Sequence, residues 1–155
     1  MHLENFALGN YGILLSWQGH NLDLHSCFEF EALQYNPLHR QVELSWVCSP
    51  AQWASNTALP GLRLLFKNVS FFHVKERDSA SPVAEDKLLQ SVSFHPTEAR
   101  EDFDSIYLQS SPTDDLTVFF QSEWGIKINA ASAELVPLPA SGANVCGAAL
   151  CLLPG

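Results

Sequence analysis

Basic residues are scarce in this chain. Eight Lys and Arg stand against 17 Asp and Glu, a formal net charge of -9. Such a balance supplies no overall field to hold phosphates, so nucleic-acid binding is not expected. Charge of either sign is thin, at 16% of residues, while 46% are hydrophobic. A disordered chain shows the reverse pattern and is excluded. Long apolar runs are missing too. The longest candidate, residues 145–153, is interrupted by Gly147 and is about half of the roughly 18 residues a membrane helix needs, so no membrane association is expected. The first residues lack the pattern of a secretory leader. Position 2 is His rather than Gly, and Cys151 is fifth from the end, so myristoylation and prenylation motifs are lacking. The expected address is the cytoplasm.

Several signatures of chemistry are also missing. Gly19, Gly61 and Gly125 are isolated turn glycines and form no phosphate-cradling loop. There is no Gly-x-Ser-x-Gly nucleophile turn. Four cysteines, Cys27, Cys48, Cys146 and Cys151, have neither zinc-finger spacing nor the setting of a secreted disulfide scaffold. They read as free thiols. No cofactor is expected, and the balance falls against an enzyme.

What the chain does have is a series of short runs rich in Phe, Val, Ile, Tyr and Trp, separated by Gly, Pro, Asn, Asp and Ser. These favour strands over helices. The expected fold is mostly β, with at most an α+β admixture: antiparallel sheets of about eight strands, as a sandwich or partly open barrel with few short helices. One domain spans residues 1–136. Residues 137–155 carry no charge and read as a low-complexity Ala/Gly/Pro-rich tail outside it.

Two hairpins are expected. The first joins residues 22–35 to 40–48 through Asn36-Pro37-Leu38-His39. Matching apolar faces pairs Phe28 with Cys48, Phe30 with Trp46, Ala32 with Leu44 and Gln34 with Val42. In that register Cys27 and Cys48 point to opposite faces and are not bonded to each other. The second joins residues 105–110 to 116–122, pairing Ile106 with Phe120, Leu108 with Val118 and Tyr107 with Phe119. Residues 62–75 form a long strand whose phase changes near Lys67-Asn68, the mark of a bulge. Residues 87–95 form another strand, residues 125–133 a last one, and residues 77–85 a polar loop.

Candidate sites follow from residue type. Acidic residues lie in a loop (Glu98, Glu101, Asp102, Asp104), at a hairpin tip (Asp114, Asp115) and on a strand's outer face (Glu29, Glu31). Of these, Glu29, Glu31, Asp102, Asp104, Asp114 and Asp115 are the candidates for steering a basic partner. Trp17, Trp53 and Trp124 adjoin turns and suit interface anchors, whereas Trp46 suits the core. Phe28, Phe30, Trp46 and Phe66 are the lining expected of an apolar ligand cavity, should one exist. His20, Asp23 and His25 are the candidates for a metal or acid–base site, although only Asp23 and His25 share a strand face.

The segment His20-Asn21-Leu22-Asp23-Leu24-His25-Ser26-Cys27, followed by alternating strands and by Leu62-Arg63-Leu64-Leu65-Phe66-Lys67-Asn68-Val69, resembles small bacterial immunity-type, toxin-neutralising proteins and related β-rich proteins. The likeness covers about residues 10–95, and His20-Asn21 departs from the His-Asp pair of that pattern. It implies a single domain that binds and blocks a cognate toxin without catalysis. The leading expectation is therefore a non-enzymatic protein-binding domain with an acidic surface and a basic partner; a homodimer through a sheet edge or the apolar tail is the other assembly weighed. The alternatives are a carrier of a small apolar ligand and a metal-dependent enzyme built on His20, Asp23 and His25.

Overall fold

Among the described residues are thirteen elements, ten of them strands of two to fifteen residues that follow the alternation of apolar and polar residues. The structure, a computed structural model, describes residues 1–9, 12–54 and 57–139. The fold is mostly β and antiparallel. Its strands are β1 (His2–Leu3), β2 (Phe6–Leu8), β3 (Leu14–Trp17), β4 (His20–Asp23), β5 (Phe28–Asn36), β6 (Gln41–Cys48), β7 (Gly61–Lys75), β8 (Leu89–His95), β9 (Asp115–Phe120) and β10 (Gly125–Pro137). Three 3-10 turns, Gln52–Ala54, Val83–Lys87 and Thr97–Ala99, are the helical elements among the described residues, and no helix there is long and apolar enough to cross a membrane.

The main sheet runs β5-β6-β7-β10-β9-β8 and curls into a half-barrel, with β1 joined in parallel to the far half of β10. A second sheet, β2-β3-β4, adds Phe6, Leu15 and Leu22 to the same core. That core holds Phe28, Val42, Leu44 and Trp46 from the first hairpin and Leu62, Leu64 and Phe66 from β7. Leu116, Val118, Phe120, Ile126 and Ile128 complete it from the other side. Successive strand residues alternate faces, so Asp115, Thr117 and Phe119 occupy the opposite side of β9. They are buried as well, because residues 96–105 fold back over that side.

The first hairpin keeps its expected register at Phe28–Cys48 and Phe30–Trp46. A shift at Glu31 then sets Leu33 opposite Leu44 and Tyr35 opposite Val42, in place of the Ala32–Leu44 and Gln34–Val42 pairs. The phase change expected in β7 lies at Asn68, which takes φ 54°; a second shift, at Ser70 in the ladder to β10, carries Phe71 to the outer side. The second expected hairpin is not formed. β9 pairs with β8 on one edge and β10 on the other, so no edge remains for residues 105–110, which are not strand. Pro137 ends β10, and the Leu138 amide donates to Gly61. Most of the expected tail, with Cys146 and Cys151, lies outside the described residues. Cys27 and Cys48 are free thiols.

Candidate functional site

A curled sheet that fails to close leaves two edges facing each other across a seam, here β5 and β8. Such edges are templates for another chain. The outer edge of β8 is partly filled: the Val92 amide donates to the Gly12 carbonyl and the Phe94 amide to that of Tyr107. The outer edge of β5 has no backbone partner among the described residues. Side chains hold the seam together instead. Phe30 packs edge-on against Phe120 and Trp124 at centroid distances of 4.9 and 5.4 Å. Lys87 pairs with Glu29, and His25 Nδ1 lies 2.6 Å from the Leu89 carbonyl oxygen.

A groove of about 650 Å³ opens at the Phe28 end of this seam, between His25 and Glu29 on one side, Leu88 and Gln121 on the other, and Pro50 and Trp53 at the end. Local turn chemistry builds it. Asp23 Oδ1 accepts the His25 and Ser26 amides at 3.0 and 2.9 Å, which turns the chain out of β4 toward β5. The turn leaves the Ser26 carbonyl free to accept Trp53 Nε1–H at 2.9 Å. The 3-10 turn that carries Trp53 is fixed from behind, where Cys48 Sγ meets the Ala54 carbonyl and Thr57 Oγ1 at 3.4 and 3.0 Å. Trp53 is thus tethered by its polar end while its side chain remains 73% exposed. An indole with its N–H satisfied and its apolar face in water is suited to a contact surface. Burial raises the nearby Cys27 thiol above its ordinary pKa, with Asp23 adding to the effect, which works against a reactive thiolate.

A second polar constellation lies on the outer side of β8, β9 and β10. Lys127 is fully buried there, and its Nζ donates to the carbonyls of Ala99 at 2.8 Å, Arg100 at 3.0 Å and Asp102. Arg100 returns to the sheet, with Nε 2.8 Å from Asp115 Oδ2 and its guanidinium 3.7 Å from the Phe71 ring centroid. His95 is also buried; its Nε2 lies 3.0 Å from Ser93 Oγ, and its Nδ1 has no partner among the described residues. Burial, reinforced by the Lys127 charge, lowers the His95 pKa, with Asp102 and Asp115 opposing. Burial likewise lowers that of Lys127. Every Lys127 donor is engaged by a main-chain carbonyl, so this layer anchors a loop and presents no open reaction centre.

The six acidic candidates are not brought together. Asp114 and Asp115 are buried rather than exposed at a hairpin tip. Burial alone would raise the Asp114 pKa, but the Ser110 and Ser111 amides, the Ser110 hydroxyl and the N-terminal charge together outweigh it and hold the carboxyl below its ordinary range. Asp102 is half-buried and fastened to the Ser105 hydroxyl at 2.7 Å, which with the Ser105 and Asp104 amides lowers its pKa. Asp104 is exposed on the same loop. Glu29 is engaged by Lys87, leaving Glu31, exposed at the bulge and without an ion pair among the described residues. His20 stacks on Trp17, Asp23 serves the turn and His25 meets Leu89; the described residues hold no group of three potential metal ligands. Phe28, Trp46 and Phe66 are packed in the core, with Phe30 against it. Of the suggested anchors, Trp53 is the one that stands exposed at a groove; Trp124 also lines a shallow pocket beside Val74 and Asp86 but is stacked on Phe120, and Trp17 packs against the core. Neither the groove nor the Lys127 layer was anticipated from sequence, because both depend on loops returning from distant positions.

Comparison of the chain with protein-family models, with curated proteins and with solved structures finds no match.

Proposed function

We propose that this protein is a non-enzymatic protein-binding module. Its groove at the β5–β8 seam takes a segment of a partner protein that carries basic side chains. The observation that carries the reading is Trp53, held by Ser26 yet mostly exposed at the mouth of the groove. Buried aromatic anchors dominate interface energetics, and an indole already held in place loses little freedom on binding. The net charge of -9 and the unpaired Glu31 favour a basic partner and raise its rate of encounter. The likeness to immunity-type proteins adds a toxin as the class of partner.

Another exposed apolar strip, Ile106-Tyr107-Leu108, has structural work of its own. Its Tyr107 carbonyl covers the edge of β8, and its Tyr107 ring packs edge-on against His95 at 5.2 Å. The reading is tested by affinity capture from the source cell, using the intact chain and Trp53→Ala at low and high salt. Capture of a basic protein by the intact chain at low salt, lost at high salt and lost in the variant, is expected. Equal capture by the two chains contradicts a role for the groove.

A further inference from the structure

We propose that the partner segment binds as an added strand along the outer edge of β5, pairing backbone to backbone with residues 31–36. This rests on the seam being the partner site and specifies how that site is used. The two edges of the half-barrel differ: β8 has lent amides to Gly12 and Tyr107, whereas the outer edge of β5 has no backbone partner among the described residues. An extended segment satisfies such groups by joining the ladder, and pockets for its alternate side chains then supply selectivity.

β5 has a groove at each end. The Trp53 groove lies at Phe28, and a second, of about 360 Å³, lies at the hairpin tip between Gln34–Leu38 and Gln41 and Glu43 of β6, beside the exposed Tyr35 and Leu38. The nine residues between these ends span roughly 30 Å at about 3.4 Å per residue.

Charge selects the occupant. β5 carries Glu29 and Glu31 and no Lys or Arg. A second copy of this chain would bring only Glu29 and Glu31, and no Lys or Arg, to the shared edge, so it finds no opposite charge there. The register shift at Glu31 adds to that protection, since a bulge interrupts indiscriminate edge pairing. A segment bearing Lys or Arg meets the opposite condition. It gains Glu31, and it is able to replace Lys87 on Glu29, because an exposed ion pair is weak and easily exchanged.

The test is amide hydrogen exchange on the intact chain with a synthetic peptide of alternating lysine and valine, compared with its glutamate–valine counterpart. The lysine peptide is expected to slow exchange at residues 31–36 at low salt, and the glutamate peptide is not. Glu31→Lys, an exposed change that leaves folding intact, is expected to weaken the lysine peptide by about tenfold. Slowing confined to residues 49–53 overturns strand addition while leaving the groove as the partner site. Slowing at neither place overturns strand addition, and the Trp53→Ala capture experiment decides the groove separately. Slowing without peptide that grows with protein concentration assigns the edge to a second copy and overturns the proposal. Equal affinity of the Glu31→Lys chain for both peptides overturns the charge selection.

Discussion

Lys127 shows why single residues escaped the sequence reading. Between Ile126 and Ile128 it looks like the solvent-facing member of an alternating strand, yet it is fully buried. Residues 99–102 arrive from elsewhere in the chain and offer it three carbonyls. Lys127→Met keeps the bulk and strands those carbonyls. A loss of roughly 2–4 kcal/mol in urea unfolding is expected, and a loss below about 0.5 kcal/mol would show that the loop does not depend on the ammonium. His95 carries a pH dependence. The folded state lowers its pKa while the unfolded chain titrates near 6.5. Its stabilising contribution is therefore complete above pH 6.5 and is lost as pH falls from there through the folded-state value. Asp102 and Asp114, whose pKa values are lowered in the fold, contribute above their ordinary value near 3.8 and act in a more acidic window. Urea midpoints at pH 7 and pH 5 are expected to fall for the wild type and to fall less for His95→Gln. Parallel falls would exclude His95 as the cause.

Elements were read well wherever alternation was strict. Phe28, Phe30, Trp46 and Cys48 fixed the start of the first hairpin, and Leu62, Leu64 and Phe66 against Val69 marked the phase change at Asn68 in β7, whereas Phe71 is carried to the outer side, against Arg100, by a further shift at Ser70. The first hairpin departs from expectation after Glu31, where Leu33 and Tyr35 are out of phase with Phe28 and Phe30. A bulge returns Leu33 and Tyr35 to positions opposite Leu44 and Val42. Residues 105–110 alternate like a strand but cannot pair with β9, both of whose edges are taken; they lie beside β8 instead, where the Tyr107 carbonyl accepts the Phe94 amide. The first four strands, two to four residues each, are too short for a period to show. Besides Lys127 and Arg100, one close approach seats the cover over the outer side of the sheet. A Cβ at Gly125 would stand 2.5 Å from Phe103 Cδ1 and 2.8 Å from its Cε1. Gly125→Ala is expected to displace Phe103 and cost about 1–3 kcal/mol, with faster amide exchange in residues 99–105. Unchanged exchange there would mean that Phe103 does not hold the cover down.

At the scale of the whole molecule, composition indicated the fold class correctly, but net charge did not reveal where charge is used. Asp114 and Asp115 are enclosed by the fold and organise loops, while Glu31 and Trp53 lie along the open seam. The seam results from incomplete closure of the sheet, which no local pattern in the chain encodes. Trp53 contributes little to the core, so Trp53→Ala is expected to change unfolding free energy by less than about 0.5–1 kcal/mol while removing partner capture. A large loss of stability would recast Trp53 as a structural cover for the end of the half-barrel. The most direct test of the seam as the partner site is hydroxyl-radical footprinting of the intact chain, free and bound to its captured partner. Protection of Trp53 on binding, with Tyr107 and Leu108 oxidised as before, is the predicted result. Protection of Tyr107 and Leu108 with Trp53 still oxidised would contradict it.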